Sequence, residues 1–299
     1  MQPLSARTDG APDEPPEFDS GEPTGPRDAE SLSRRTFLRR AGVATAGIIL
    51  GGSAPLWLPA RGATAHRTIE TFPGIWGQRT VYEVTGNLAS FGYRPSFHDR
   101  LNSWLEFWYL NTPSNVRKPI RVWTLGAHND SRVSEAHNAG RGFDLTRLYA
   151  TGADGDLHRR FFGRYDIWKD FDAARLRAAR VNYWATAASA HHHFQHVLTY
   201  PYDADHHSHI HIDNLVSGSG NSTFHTDSEA QVLHVQSCCR WIWGKSTTID
   251  GIWGPQTRDH STDILRRIGR GSGTIASSQA NWLAFNRASL RKGYGTEEY

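Results

Sequence analysis

The run His206-His207-Ser208-His209-Ile210-His211-Ile212-Asp213-Asn214 constrains this chain more than any other segment. From His209 to Asp213 polar and branched apolar residues alternate strictly. That period of two belongs to a strand with its polar residues on one face and the isoleucines packed behind. Its counterpart lies upstream, in Ser134-Glu135-Ala136-His137-Asn138-Ala139-Gly140-Arg141-Gly142-Phe143-Asp144. His137 and Asp144 are seven positions apart, a spacing that does not make a metal pair on one helix face. A loop or strand hairpin can bring them together, and Gly140 and Gly142 supply the backbone freedom. Two ligands from this segment and one from the downstream run leave the fourth position open on zinc, the arrangement of a catalytic rather than a structural site. Water at such a position ionises near neutral pH, and a neighbouring imidazole can manage its proton.

Between and around these runs the pattern reads as α+β: a small antiparallel sheet with flanking helices, followed by a small three-helix module. Leu101, Trp104, Leu105 and Trp108 form a helical stripe within 96–112, ended by Pro113, Ser114 and Asn115. Residues 119–127 read as a strand running into the His137 loop, and 142–150 as the next strand, with a turn at Gly152, Asp154 and Gly155. The longest helical pattern, 172–198, is rich in Ala, Leu and Arg. On it His192 and His196 have the i, i+4 spacing that can grip a metal. No glutamate follows His192, so the HExxH pattern is absent. His191, His192, His193 and His196 are therefore read as a solvated helix face.

Residues 1–32 are rich in Pro, Asp, Glu and Gly and predict disorder. Arg34-Arg35, followed by the small and apolar run 41–52, reads as a twin-arginine (Tat) export signal over 33–65. Ala63-Thr64-Ala65 offers a cleavage site, which places the mature protein in a secreted or wall-associated location. No later apolar run is long enough to span a bilayer. With 299 residues, 38% of them hydrophobic, the remainder suffices for one enzyme-sized domain (66–217), a Gly/Ser-rich linker (218–227) and an accessory domain (228–299). A net charge of +3 argues against a nucleic-acid partner. The chain is read as a monomer. The two cysteines, Cys238 and Cys239, are adjacent, so no disulfide framework exists and both are expected as thiols packed on a helix.

The segment 134–145 resembles the SxHxxGxAxD signature of the peptidoglycan-cleaving zinc peptidases, which include D-alanyl-D-alanine carboxypeptidases, murein endopeptidases and extensin-like domains. His209-Ile210-His211 resembles their closing HxH element. The resemblance covers about residues 80–215 and implies a hedgehog/DD-peptidase-like fold. It implies His137, Asp144 and His211 as Zn²⁺ ligands, with His209 beside the metal and His206 where the endopeptidase branch has another active-site histidine. The chain departs from the pattern in three places. Ser134 lies one position further from the histidine, Gly142 replaces alanine, and Ser208 occupies the place where the carboxypeptidase branch carries a glutamate base. The last departure favours the histidine-assisted branch, with His209 or His206 as the catalytic group. Arg132 and Arg141 are candidates to pair with substrate carboxylates. The run 209–214 also resembles the HxHxDH element of the metallo-β-lactamase fold, but Asn214 stands in place of the final histidine and the motif comes too late in the chain.

Beyond residue 228, Val232, Gln236, Asp250, Gly251, Trp253, Gly254, Pro255 and Thr257 resemble the signature of the three-helix peptidoglycan-binding module. Peptidoglycan is the partner this implies, with Trp253 as a candidate wall of the binding groove. The alternative from another class is a non-catalytic wall-binding protein with a vestigial or structural zinc site.

Overall fold

A computed structural model describes residues 68–128, 134–215, 220–271 and 273–299. The segments expected to be disordered (1–32) and to form the export signal (33–65) lie outside the described residues. In chain order the elements are β1 (Glu70–Phe72), β2 (Gly74–Ile75), β3 (Gln78–Tyr82), β4 (Phe91–Tyr93), α1 (Pro95–Leu110), β5 (Arg117–Gly126), α2 (Glu135–Asn138), β6 (Gly142–Thr151), β7 (Leu157–Phe162), α3 (Tyr165–Trp168) and α4 (Ala173–His193). There follow β8 (His196–Leu198), a 3₁₀ turn (Ala204–Ser208), β9 (Ile210–Asp213), α5 (Glu229–Trp241), α6 (Pro255–Arg267) and α7 (Gln279–Gly293). No described helix is long and apolar enough to cross a membrane.

The α+β expectation holds, with one difference in the sheet. Its order is β2-β3-β5-β6-β9-β8, with β7 also paired to β6. All pairs are antiparallel except β3 and β5, which run parallel through Thr80↔Val122 to Tyr82↔Thr124. The long path between them, through β4 and α1, is the crossover that a parallel pair needs. β1 and β4 form a separate two-stranded ribbon.

α1 begins at Pro95, whose missing N–H costs nothing at a helix start. It buries the expected stripe, Leu101, Trp104, Leu105 and Trp108, all fully enclosed, and Phe97 with them. Trp104 Nε1 donates to Ser189 Oγ of α4 at 2.9 Å, so the large ring is buried with its polar atom satisfied. α4 starts at Asp172, whose carboxylate accepts from the backbone N–H of Ala174 and Arg175. Its last eleven residues, Tyr183 to His193, are buried on every side, which is the signature of a central core helix. Alanines at 185, 187, 188 and 190 let neighbouring helices approach closely. The solvated-face reading of the histidines is thereby corrected: His191, His192 and His193 are enclosed, and the helix ends at His193, so His196 sits in β8 and the i, i+4 pair does not exist.

The C-terminal helices close over the other side of α4. Residues His66–Tyr299 form one compact unit, so the boundary placed at 218–227 falls within a packed body rather than between two cores. Tyr294 OH lies 2.7 Å from Thr186 Oγ1 of α4 and donates to the Arg160 carbonyl, and Thr296 Oγ1 donates to Asn111 O. Gly293 lies so close to α4 that a Cβ there would come within 2.6 Å of Ala185 Cβ. Cys238 and Cys239 are free thiols, buried on α5 as expected, and burial pushes both up, Cys239 to about 12.

Candidate metal centre

Three strands and one short helix bring the half-sites together. On β6, Phe143, Leu145, Leu148 and Ala150 all face the core, a spacing that a regular strand cannot give. The register moves from Trp123↔Arg147 to Thr124↔Leu145, leaving Thr146 as an extra, bulged residue. The bulge resets the alternation. Asp144 consequently projects on the open face while its apolar neighbours on both sides stay buried. Directly across the ladder stands His211 of β9, paired with Asp144, and Ile210 and Ile212 are buried behind it as the alternation predicts.

His137 comes from the opposite direction, on α2. Ser134 caps this single turn, its hydroxyl accepting from His137 N at 3.4 Å. The turn ends at Gly140, whose φ of +63° and contact with Ile69 and Arg94 exclude a side chain. Gly142 is needed for a different reason than backbone freedom. A Cβ there would sit 3.0 Å from both Cδ2 and the backbone N of His137, so glycine makes room for the ring.

The resulting group is tight. His137 Nε2, Asp144 Oδ1 and His211 Nδ1 lie within 4.8 Å of one another, with His137 to Asp144 at 3.2 Å, His137 to His211 at 3.3 Å and His211 to Asp144 at 2.9 Å. Each imidazole is held from behind. His137 Nδ1–H donates to the Ala127 carbonyl at the end of β5, and His211 Nε2–H donates to Asp213 Oδ2 at 3.3 Å. His137 Nε2 and His211 Nδ1 face Asp144 as hydrogen-bond donors; with a cation in place, the same bracing would leave those two nitrogens as lone pairs toward it, the outer support typical of metal-binding histidines. Two nitrogens and one carboxylate oxygen so arranged form a donor set suited to a divalent cation such as zinc.

Electrostatics follow from this packing. Burial opposes ionisation of Asp144, but the hydrogen bonds from His137 and His211 outweigh it and hold the carboxyl well below the usual carboxylate range. Burial likewise works against the charged form of His211, and Asp144 and Asp213 overcome it, raising the ring to about 9. His209 goes the other way: burial lowers it to about 4.

The remaining expected residues fall in three places. His209 Nε2 is 3.4 Å from Asp144 Oδ1, and Ser208 Oγ lies 3.1 Å from His209 Nδ1, so the serine in place of glutamate braces the histidine ring. His206 stands beside both, its ring centroid 5.3 Å from His209 and 6.0 Å from His211, with Nδ1 on Asp203 at 2.5 Å. Arg141 Nη1 donates to Leu215 O, and its backbone O accepts from Asn214 N, so it ties the α2 loop to the end of β9. Arg132 lies outside the described residues. Trp253 packs half-buried on Phe224, at a ring distance of 4.9 Å. Around it Gln236 Nε2 donates to Asp250, Ile252 O and Thr257, and its Oε1 accepts from the N–H of Asp250 and Gly251. The motif residues of this turn thus hold one another in place.

Asp213, Asp203, Ser208 and the Ala127 carbonyl carry parts of the site to which the sequence reading assigned no role. Asp213 was the most accessible of them, since the alternation that pairs His209 with His211 puts Asp213 on the same face. Asp203 is i−3 to His206 on a 3₁₀ turn, which no periodicity marks. No protein-family model, curated protein or solved structure matches this chain.

Proposed function

We propose that the protein is an exported zinc peptidase that hydrolyses peptide bonds of peptidoglycan, in cross-links or stem peptides, on a hedgehog/DD-peptidase-like catalytic core. The observation that carries this reading is the convergence of His137 Nε2, Asp144 Oδ1 and His211 Nδ1, each imidazole braced from behind. The order and spacing of the two sequence motifs support the substrate class, and the 228–299 segment supports attachment to the wall polymer. Zinc at these three residues would supply Lewis acidity toward the scissile carbonyl and an acidified water. His209, largely deprotonated at neutral pH and fixed by Ser208, can accept a proton at Nε2. His206, oriented through Nδ1 by Asp203, presents Nε2 as a second proton carrier, for the leaving amine. Arg132 and Arg141 remain candidates for the substrate carboxylates.

Purified cell walls provide the test. Release of free amino groups should stop with a chelator and return with Zn²⁺. His211→Ala should lose zinc and turnover together. His209→Ala should keep its zinc and lose about 10²–10⁴ in rate, the usual contribution of a general acid–base group. Full activity in the chelated protein would refute the metallopeptidase reading. Wall binding without any turnover would favour the non-catalytic alternative.

A further inference from the structure

Between α1, α4 and α7 lies a group of cationic and imidazole side chains that the metal centre does not use. Phe107 of α1 is its floor. The His192 ring stacks on Phe107 at 4.1 Å and 23°, His193 lies 4.8 Å from the same ring, and the two imidazoles are 4.9 Å apart. Arg287 of α7 holds its guanidinium carbon 5.8 Å from the Phe107 centroid. Arg100, two turns before Phe107, donates through Nε and Nη2 to the His193 carbonyl at 3.1 and 2.9 Å and through Nη2 to Asn221 Oδ1 at 2.5 Å. Arg287 and the two imidazoles border one aromatic ring, and Arg100 is bonded to the carbonyl of one of those histidines.

Three features of this group call for an anion. Neither Arg100 nor Arg287 is in an ion pair among the described residues, and burial alone pulls the Arg100 guanidinium down, to about 10, with no carboxylate acting on it. His192 is 5% exposed, yet both of its ring nitrogens lack a hydrogen-bond partner among the described residues. A buried polar group without a partner costs about 1–3 kcal/mol, so a fold that keeps one there has a use for it or fills it with a ligand. Arg100 is also pinned through its Nε/Nη2 edge, which fixes its plane and leaves Nη1 with no hydrogen-bond partner among the described residues. Rigid, uncompensated arginine beside an unsatisfied N–H is the chemistry of oxyanion recognition.

We propose that Arg100, Arg287 and His192 form a binding site for a phosphate group. Donors contributed by three separate side chains suit the several oxygens of a tetrahedral anion better than the two coplanar oxygens of a carboxylate. The group can come from free phosphate or from a phosphodiester polymer of the cell envelope. The site shares no residue with the His137–Asp144–His211 group, so its existence does not depend on the proposed peptidase activity.

Calorimetric titration of the full chain with inorganic phosphate, and separately with a poly(glycerol phosphate), tests the site and separates the two sources. Binding of either should weaken about tenfold or more in Arg287→Glu, which alters an exposed residue and leaves the core intact, and in Arg100→Gln. Arg258→Glu, on the exposed face of α6, should leave it unchanged. The His192 ring resonances should shift on addition of phosphate to the wild type and not in Arg287→Glu. Tight binding of the polymer with weak binding of phosphate would identify the envelope polymer as the ligand. Phosphate binding that Arg287→Glu and Arg100→Gln both retain, or unmoved His192 resonances at saturation, would overturn the assignment. Zinc content, measured alongside, should be the same in every variant.

Discussion

Asp213 and Gly142 show how much of the candidate metal centre depends on residues outside the His137–Asp144–His211 group. Asp213 Oδ2 accepts from His211 Nε2, and its other oxygen accepts from Leu215 N at 2.9 Å, so the carboxylate is itself held before it holds the ring. Asp213→Asn should lower zinc affinity about 10–100-fold, the usual cost of losing such a partner, with the thermal midpoint of the metal-free protein nearly unchanged. Competition with a chromophoric chelator measures it, and an unchanged affinity would show that His211 needs no orienting group. Gly142→Ala puts its methyl 3.0 Å from the His137 ring and backbone. Overpacking of this kind costs about 1–3 kcal/mol, and here the strain falls on one of the three residues proposed to hold the metal. Both stability and zinc affinity should drop. An alanine variant with wild-type zinc affinity would mean that α2 yields freely.

Among the elements, α4 is where expectation and structure part most sharply. Composition made it a helix; the burial of its last three turns could not be read from composition. Its histidines are neutral because they are dry. Burial lowers His192 to about 3, His193 to about 2 and His234, facing them from α5, to about 3, while His191 falls well below its ordinary value. Arg100 and Arg287 press His192 in the same direction. Above about pH 6.5 folded and unfolded chains both carry these rings neutral, and stability does not change on their account. Below it the unfolded chain binds protons that the folded one refuses. Each ring then removes about 1.4 kcal/mol per pH unit until its folded value is reached. Denaturant unfolding should therefore show stability falling steeply between about pH 6.5 and 3, and His234→Gln should flatten the slope. A flat profile across that window would mean the rings are not excluded from water. On β6 the sequence reading was of a plain strand, and the bulge at Thr146 is what lets that strand bury Phe143, Leu145, Leu148 and Ala150 together.

For the whole molecule, the packing of α5 and α7 on α4 decides whether the tail is an appendage. Removing residues 225–299 would expose Trp108, Trp184 and the 185–191 face of α4. Each large apolar side chain loses about 1.5–3 kcal/mol of burial, against a net stability of roughly 5–15 kcal/mol. The truncated chain should be insoluble or show no cooperative melt, and the intact chain should unfold in one calorimetric transition. Two separable transitions would restore an independent C-terminal domain. The sequence alone determined the strand carrying His211 and the stripe of α1, and its two short motifs singled out the three residues that the fold brings together, because period-two alternation, helical spacing and short motifs are properties of neighbouring positions. It also marked the Gly/Ser-rich stretch near 218 as a boundary, since composition registers local polarity and not what packs across it. Tertiary structure alone decided the parallel β3–β5 pair, the enclosure of His191 to His193, the bracing by Ala127, Asp203 and Asp213, and the joining of the C-terminal helices to α4. Each of these depends on contacts between segments far apart in the chain, and no pattern within either segment encodes its partner.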